Sequence, residues 1–307
     1  MKGTCGDMTP VGRWTLGGKR FRRTATSLPL SASAIVLTLA VVLSMISSVR
    51  SEHVRLLATS GPVSDDFNGP AGSRPDSRYW NIDPANTAGF ASGEVANYSS
   101  SPDNIHLDGE GHLVIQAMAT PHGYTTGRLN TLGKVDMLFG RVQARMKLPS
   151  GYALWPGFFL VGTNLPNVGW PQSGELDIAE MINDSSTFHV TLHAPRTGGA
   201  TPSCPNCMTL GANFEVPDYL PVPMDLSQDF HVYWANWQFN AIQVGIDDVT
   251  LATYTPETLG PDAQWVFNSP MCAYLLFAVG SIATGPPNET TPMPAQLLVD
   301  WFRYTPN

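Results

Sequence analysis

From Pro62 to the carboxyl terminus, apolar residues recur at every second position, and this period limits the fold more than any other feature. The alternation is clearest in residues 113–117, 141–148, 188–193 and 242–246. Alternation over five to eight residues indicates strands that bury one face and expose the other. Outside the amino-terminal segment no stretch sustains a helical period. A chain of this kind has to bury its apolar strand faces against one another.

Turn-forming residues fill the segments between these strands, as in Asp108-Gly109, Gly198-Gly199 and Gly285-Pro286-Pro287. The chain has 28 Gly and 26 Pro, which suits many turns better than long helices. Eight Trp, nine Tyr and thirteen Phe supply a large apolar core, which excludes disorder throughout. Roughly 245 residues of such strands, without an internal repeat, predict a single antiparallel sandwich or jelly roll.

The first 62 residues differ in composition from the rest. A charge-free run at 24–49 follows the basic residues Lys19, Arg20, Arg22 and Arg23. This order is typical of an export signal or a single membrane anchor, and the run is long enough to span a bilayer. We therefore predict a basic tail (1–27), a signal peptide or transmembrane anchor (28–49), a linker (50–62) and a folded domain (63–307). The folded domain is expected outside the cell or at its envelope, with contact to a membrane only through the amino-terminal segment.

The charge of the body excludes one class of partner. Residues 56–307 contain nine basic and twenty-three acidic side chains, a net charge of −14. A body that acidic repels phosphate backbones, so nucleic acid is excluded as a partner.

The cysteines of the body are Cys204, Cys207 and Cys272. The Cys-x-x-Cys pair could be redox-active, but that function requires a βαβ context that the surrounding Gly- and Pro-rich sequence lacks. A zinc site would need a second pair of ligands. The spacing favours a disulfide within a loop or unreactive thiols, and a redox protein stays open as a third function.

A cluster of carboxylates interrupts one apolar strand. Glu175 and Asp177 are two residues apart and share a face of a regular strand. Glu180 would point to the opposite face unless a β-bulge adds one residue before it. With that bulge, Leu176 and Ile178 would pack into the core behind three clustered carboxylates.

Close like charges raise the pKa of at least one carboxyl, which keeps it protonated near neutral pH. Retaining glycoside hydrolysis needs such an acid and a carboxylate nucleophile about 5–5.5 Å apart. A solvated acidic face, a calcium site and an accident of composition are the alternatives. Trp155 and Trp170 precede the cluster and His193 lies on the next strand. Aromatic rings stack on the flat faces of sugars, so this neighbourhood favours a carbohydrate cleft.

The body resembles glycoside hydrolase family 16, in its laminarinase-like, endo-β-1,3-glucanase branch. The Glu-x-Asp-x-x-Glu pattern of 175–180 is the signature of that branch, whereas other branches lack the extra residue. The likeness covers segments 65–69, 104–117, 124–128, 140–151, 154–156, 230–233, 278–280 and 299–303. It implies that 63–307 is a catalytic domain with an all-β jelly-roll sandwich fold and an open substrate cleft on its concave sheet.

The resemblance also implies roles for individual residues. Glu175 would be the nucleophile, Glu180 the acid/base and Asp177 the residue that tunes Glu175. The positions implied to contact sugar are Trp155, Trp170, His193 and Arg128. No cofactor would be required, although Asp300 could bind a structural Ca²⁺ together with backbone carbonyls near the amino end.

Some positions depart from the family pattern and leave the substrate open. Phe159 stands where relatives have Trp, Leu276-Phe277 where they have Asn-Leu, Ser281 where they have Gly and Gln143 where they have Glu. We expect a monomeric retaining endo-glycosidase that acts on β-1,3-glucan or a related β-linked polysaccharide. A transglycosylase on the same scaffold and a non-catalytic, carbohydrate-binding envelope protein are the alternatives.

Overall fold

The computed structural model describes residues 60–84, 93–185, 187–197 and 225–307, and the backbone of 207–215. All of these residues belong to one unit of the chain, Ala58–Asn307. The predictions for the tail, the 28–49 segment and most of the linker lie outside the described residues, as do Cys204 and the side chain of Cys207. Within the described ranges, no helix has the length and apolarity needed to cross a bilayer.

The described ranges form seventeen strands and two one-turn helices. In chain order they are β1 (Val63–Asp65), β2 (Asn81–Ile82), β3 (Asn97–Tyr98), β4 (Ile105–Leu107), β5 (Leu113–Thr120), β6 (Gly123–Thr126), β7 (Arg128–Asn130), β8 (Gly140–Lys147), β9 (Leu154–Gly162), α1 (Leu165–Val168), β10 (Glu175–Glu180), β11 (Thr187–Pro195), β12 (Cys207–Glu215), β13 (His231–Gln238), β14 (Ala241–Ile246), β15 (Val249–Tyr254), α2 (Pro256–Leu259), β16 (Met271–Val279) and β17 (Ala295–Thr305).

The strands pair into two sheets. The larger has the order β15-β14-β13-β8-β17-β5-β6-β3, with β1 also paired to β17 and β4 to β5. The smaller has the order β12-β11-β10-β9-β16-β7-β2. Among the described strands, β3 and β6 are parallel and every other pair is antiparallel. The prediction of an all-β jelly-roll sandwich is confirmed.

Residues that alternate in the sequence also alternate between the core and the surface of the sandwich. In β8, Val142, Ala144 and Met146 are fully buried, while the residues between them are partly exposed. The apolar positions predicted in 188–193 and 242–246 are buried in the same way. Because both sheets turn these faces toward each other, one apolar core fills the space between them.

Strand β10 lies inside the smaller sheet, between β9 and β11. Its inner side chains, Leu176 and Ile178, are fully buried in the core, as predicted. The chain enters β10 through a close approach of backbones, since a Cβ at Gly162 would clash with the carbonyl oxygen of Ser173. The outer face of β10 is therefore held in place by its neighbours on both sides and by the core beneath it.

We expect Leu176→Ala to lower the free energy of unfolding by about 2–5 kcal/mol, because it removes a fully buried side chain and leaves a cavity. Phe239→Ala is the control, since Phe239 is 68% exposed and its truncation should stay within about 0.5 kcal/mol. Urea denaturation of both variants measures the difference. Equal losses would contradict the placement of β10 over the core.

Candidate active site

A β-bulge in β10 changes the direction of its last carboxylate. Asp177 pairs with Phe159 of β9, whereas Ala179 already pairs with Phe158 and leaves Ile178 as an extra residue. The same irregularity appears against β11, between Asp177 and Glu180. The predicted bulge is confirmed. It returns Glu180 to the outer face that Glu175 and Asp177 share.

The three carboxyl groups are poorly exposed. Glu175 is 8% exposed and Asp177 is 3% exposed, while Glu180 is partly exposed. They stand on the outer face of a sheet, yet the side chains around them exclude most of the solvent. The site therefore concentrates negative charge where water cannot screen it.

Each glutamate accepts a hydrogen bond from a tryptophan. The indole Nε1–H of Trp170, which follows α1, donates to Oε2 of Glu175 over 2.6 Å. The indole Nε1–H of Trp155, on β9, donates to Oε1 of Glu180 over 2.8 Å. Two of the four residues predicted to contact sugar, Trp155 and Trp170, thus contact the two glutamates.

Two histidines of β11 face the carboxylates. His193 pairs with Glu175, and its Nε2 lies 3.1 Å from Oδ2 of Asp177. His189 pairs with Glu180. No role is predicted for His189 from the sequence, although the alternation in 188–193 places it on the face of His193.

Burial raises the pKa of Glu175, Asp177 and Glu180, in each case to about 8. For the two glutamates the negative charge of Asp177 raises the pKa further, while a charge on His193 and the indole donors lower it. Carboxyl groups that are this close together and this poorly solvated cannot all be ionised near neutral pH. The cluster therefore holds protons at a pH where free carboxylates have lost them.

The family assignment follows from comparison with known proteins. Residues 92–303 match the model of glycosyl hydrolases family 16. The chain belongs to this family. The matched range contains the three carboxylates, and this family 16 member is a glycoside hydrolase, as the sequence predicted.

Three similar proteins refine the assignment. A beta-glucanase of Rhodothermus marinus is 28% identical over 285 residues, which cover 88% of this chain and 93% of that protein. The catalytic domain of an endo-1,3-beta-glucanase (laminarinase) from Thermotoga petrophila superposes with a TM-score of 0.66 at 31% identity, covering 78% of this chain and 95% of that one. An endo-beta-1,3-glucanase from Pyrococcus furiosus gives 0.65 at 32%, covering 78% and 92%. This family 16 hydrolase is laminarinase-like.

Arg128 lies apart from the carboxylates of this hydrolase. It is on β7, three strands from β10, and is 1% exposed. Its Nη2 lies 3.2 Å from Oδ2 of Asp83, and its guanidinium lies 4.2 Å from the ring centre of Tyr98. The side chain is thus held by an ion pair and a cation–π contact, and its role toward sugar stays a prediction.

The outer face of β9 and β16 carries a small apolar cluster. Phe159 stacks on Tyr274 with ring centres 5.1 Å apart, and Val161, Leu165 and Cys272 pack with them. Phe159, a departure from the family pattern, is therefore part of the packed floor beside Asp177. Burial raises the pKa of the Cys272 thiol, which makes this cysteine unreactive.

Asp300 lies on β17 of the larger sheet, where Arg145 pairs with its carboxylate. Ca²⁺ takes 6–8 oxygen ligands. The described ranges contain no group of three or more His, Cys, Asp or Glu side chains suited to a metal. Asp300 is thus one carboxylate already paired with a cation, which does not fit a calcium site by itself. Calcium binding stays a prediction that depends on backbone carbonyls.

The raised pKa of Glu175 has a consequence for stability. Above about pH 4.5 the carboxyls of Glu175, Asp177 and Glu180 ionise in the unfolded chain, while the folded cluster still holds protons up to about pH 8. Because the unfolded chain gives up these protons more readily, the free energy of unfolding falls as the pH rises from about 4.5 to about 8.

We expect the melting temperature of Glu175→Gln, minus that of the wild type, to become more positive from pH 5 to pH 8. Each unit of pKa shift corresponds to about 3–5 °C in a domain of this size. Calorimetry at both pH values measures the trend. Glu289→Gln, at an exposed position, is the matched control, and a trend of equal size there would contradict the assignment to the buried cluster.

Proposed function

We propose that this protein is a retaining endo-glycosidase that hydrolyses β-1,3-glucan or a closely related β-linked polysaccharide. The observation that carries the proposal is the bulge in β10, because it sets Glu175, Asp177 and Glu180 on one face. The substrate class is supported by the similar proteins, two of which are described as endo-β-1,3-glucanases. The reaction needs no cofactor.

In the first step Glu180 protonates the glycosidic oxygen while Glu175 attacks the anomeric carbon. The bond to the leaving sugar breaks and a glycosyl ester with Glu175 forms. In the second step water attacks the same carbon and gives its proton to Glu180, which releases Glu175 as a carboxylate. Four strand positions separate the Cα atoms of the two glutamates by roughly 13 Å, and the retaining reaction requires their side chains to lean together above Asp177.

The same cluster accounts for the change of role of Glu180. In the free enzyme, burial and the neighbouring negative charges hold its proton. The glycosyl ester removes the charge of Glu175, so the pKa of Glu180 falls when it has to act as a base. Asp177 sits between the two glutamates and shares a proton with Glu175 when that carboxyl has to ionise.

Internal cleavage follows from the place of the carboxylates in the sheet. β10 has β9, β16, β7 and β2 on one side and β11 and β12 on the other. A polysaccharide that crosses the sheet at β10 can therefore continue in both directions. We also propose that the protein acts outside the cytoplasm, since polymeric glucan is too large to enter a cell and a basic, apolar segment precedes the domain.

The experiment is a panel of β-1,3-glucan, mixed-linkage β-glucan and galactans, read by the release of reducing ends. We expect the wild type to cleave β-1,3-glucan into oligosaccharides of several lengths. Glu175→Gln should lose at least about 10⁴-fold in kcat, because the amide cannot form the ester. Ordinary turnover by that variant would overturn the assignment of the nucleophile.

The panel also separates the alternatives. Transfer of the glycosyl group to added laminari-oligosaccharide, in preference to water, would indicate a transglycosylase. Binding of glucan without any cleavage would indicate a carbohydrate-binding protein. The second outcome is at odds with the two glutamates that the bulge keeps on one face, since binding alone does not need both.

Glu180→Gln tests the acid/base with an activated aryl glycoside, whose leaving group needs little protonation. Glycosyl-enzyme should still form, but its hydrolysis should slow by about 10²–10⁴-fold without the base. Azide, which attacks without a base, should restore turnover and yield the β-glycosyl azide. The α product, or the absence of rescue, would contradict a retaining mechanism with Glu180 as acid/base.

A further inference from the structure

Each of the two indole N–H groups bonds one carboxyl oxygen of a glutamate and leaves the other oxygen available for the reaction. Trp170 bonds Oε2 of Glu175, which leaves Oε1 to attack the anomeric carbon. Trp155 bonds Oε1 of Glu180, which leaves Oε2 to carry the catalytic proton. Trp155 is held on β9 by its pairing with Ala278 of β16, and the ring centre of Trp170 lies 5.6 Å from that of His193. Each tryptophan therefore restricts the rotation of one glutamate.

We propose that Trp170 and Trp155 are positioning residues whose N–H groups set the protonation of Glu175 and Glu180 separately, in addition to any contact with sugar. The inference rests on the proposed function, because it assigns the two glutamates opposite tasks. It goes beyond stacking, which needs the aromatic ring and not its N–H group.

The physical reason lies in what each donor favours. An N–H group that donates to a carboxyl stabilises its ionised form. At Glu175 this bond supports the carboxylate that attacks. At Glu180 burial keeps the proton on the residue in the free enzyme, and the indole bond opposes that high pKa and so makes the proton easier to transfer.

Two of the other ionisable groups around the glutamates, Asp177 and His193, act on both of them. Asp177 on β10 adjoins both, His193 and His189 of β11 pair with Glu175 and Glu180, and burial raises the pKa of Tyr274 of β16, with a smaller contribution from the charge of Glu175. Strand β9 offers no titratable side chain along its length. Each glutamate thus has its own indole within a shared electrostatic environment, which makes the indoles the separable components.

The test is the pH profile of kcat/KM for Trp170→Phe and Trp155→Phe, which keep an aromatic ring and remove the N–H. Loss of the donor raises the pKa of its glutamate by about one unit. The wild-type profile should be bell-shaped. In Trp170→Phe its acidic limb, which reports ionisation of Glu175, should move to higher pH and narrow the profile. In Trp155→Phe the alkaline limb, which reports loss of the proton of Glu180, should move to higher pH and widen the profile. The same change, Trp to Phe, therefore narrows the pH profile at position 170 and widens it at position 155.

The matched control is Trp80→Phe. Trp80 donates its Nε1–H to Oδ2 of Asp65 over 2.9 Å, an indole–carboxylate bond formed away from β10. This variant should leave both limbs in place, and thermal unfolding shows whether each variant is folded. If a Phe variant does not fold, site-specific benzothienylalanine, in which sulfur replaces the N–H of the same ring system, provides the second variant.

The outcomes are distinct. A higher KM with both limbs unmoved would mean that the tryptophans only stack on the sugar, and it would overturn the inference. Movement of the same limb in both variants would overturn it as well, since the donors would not act separately. Failure of the wild type to cleave any β-linked glycan would instead refute the proposed function. Cleavage by the wild type with unmoved limbs in the variants would refute this inference alone.

Discussion

The pleat of a β-strand is the constraint on which this site depends. Residues two apart share a face and residues three apart do not, so three carboxylates with the spacing of Glu175, Asp177 and Glu180 cannot share a face in a regular strand. The bulge at Ile178 and Ala179 resolves the conflict locally, because both residues stay in the core while β9 and β11 continue on either side. The inner face keeps its packing, and the outer face gains its third acid.

Placing three acids together is unfavourable for the fold and useful for the chemistry. Desolvation is the largest cause of the raised pKa at each of them, and Asp177 adds its charge to both glutamates. The surrounding sandwich supplies the rigidity that this repulsion requires, since β10 is paired on both edges and lies over the core. The fold and the site are thus coupled through one strand.

Much of this could be predicted from the sequence, because its signals are local. Alternation in 141–148 and 188–193 predicted strands that the structure contains, and the spacing of Glu175 and Glu180 predicted the bulge once the resemblance to family 16 was added. The order of strands and the donation of Trp155 and Trp170 to individual oxygens could not be predicted, since they depend on side-chain directions set by distant pairings. The same limit applies to Arg128, whose residue type gave no sign that Asp83 and Tyr98 would enclose it.

The bulge also bears on how such a strand can change over generations. If Ile178 or Ala179 were lost, the spacing from Asp177 would fall from three to two, the ordinary pleat would return, and the last glutamate would still face outward. Signatures of two lengths can therefore present the same three acids on one face of a strand. A lineage could pass between them by a single codon deletion without turning the last acid into the core.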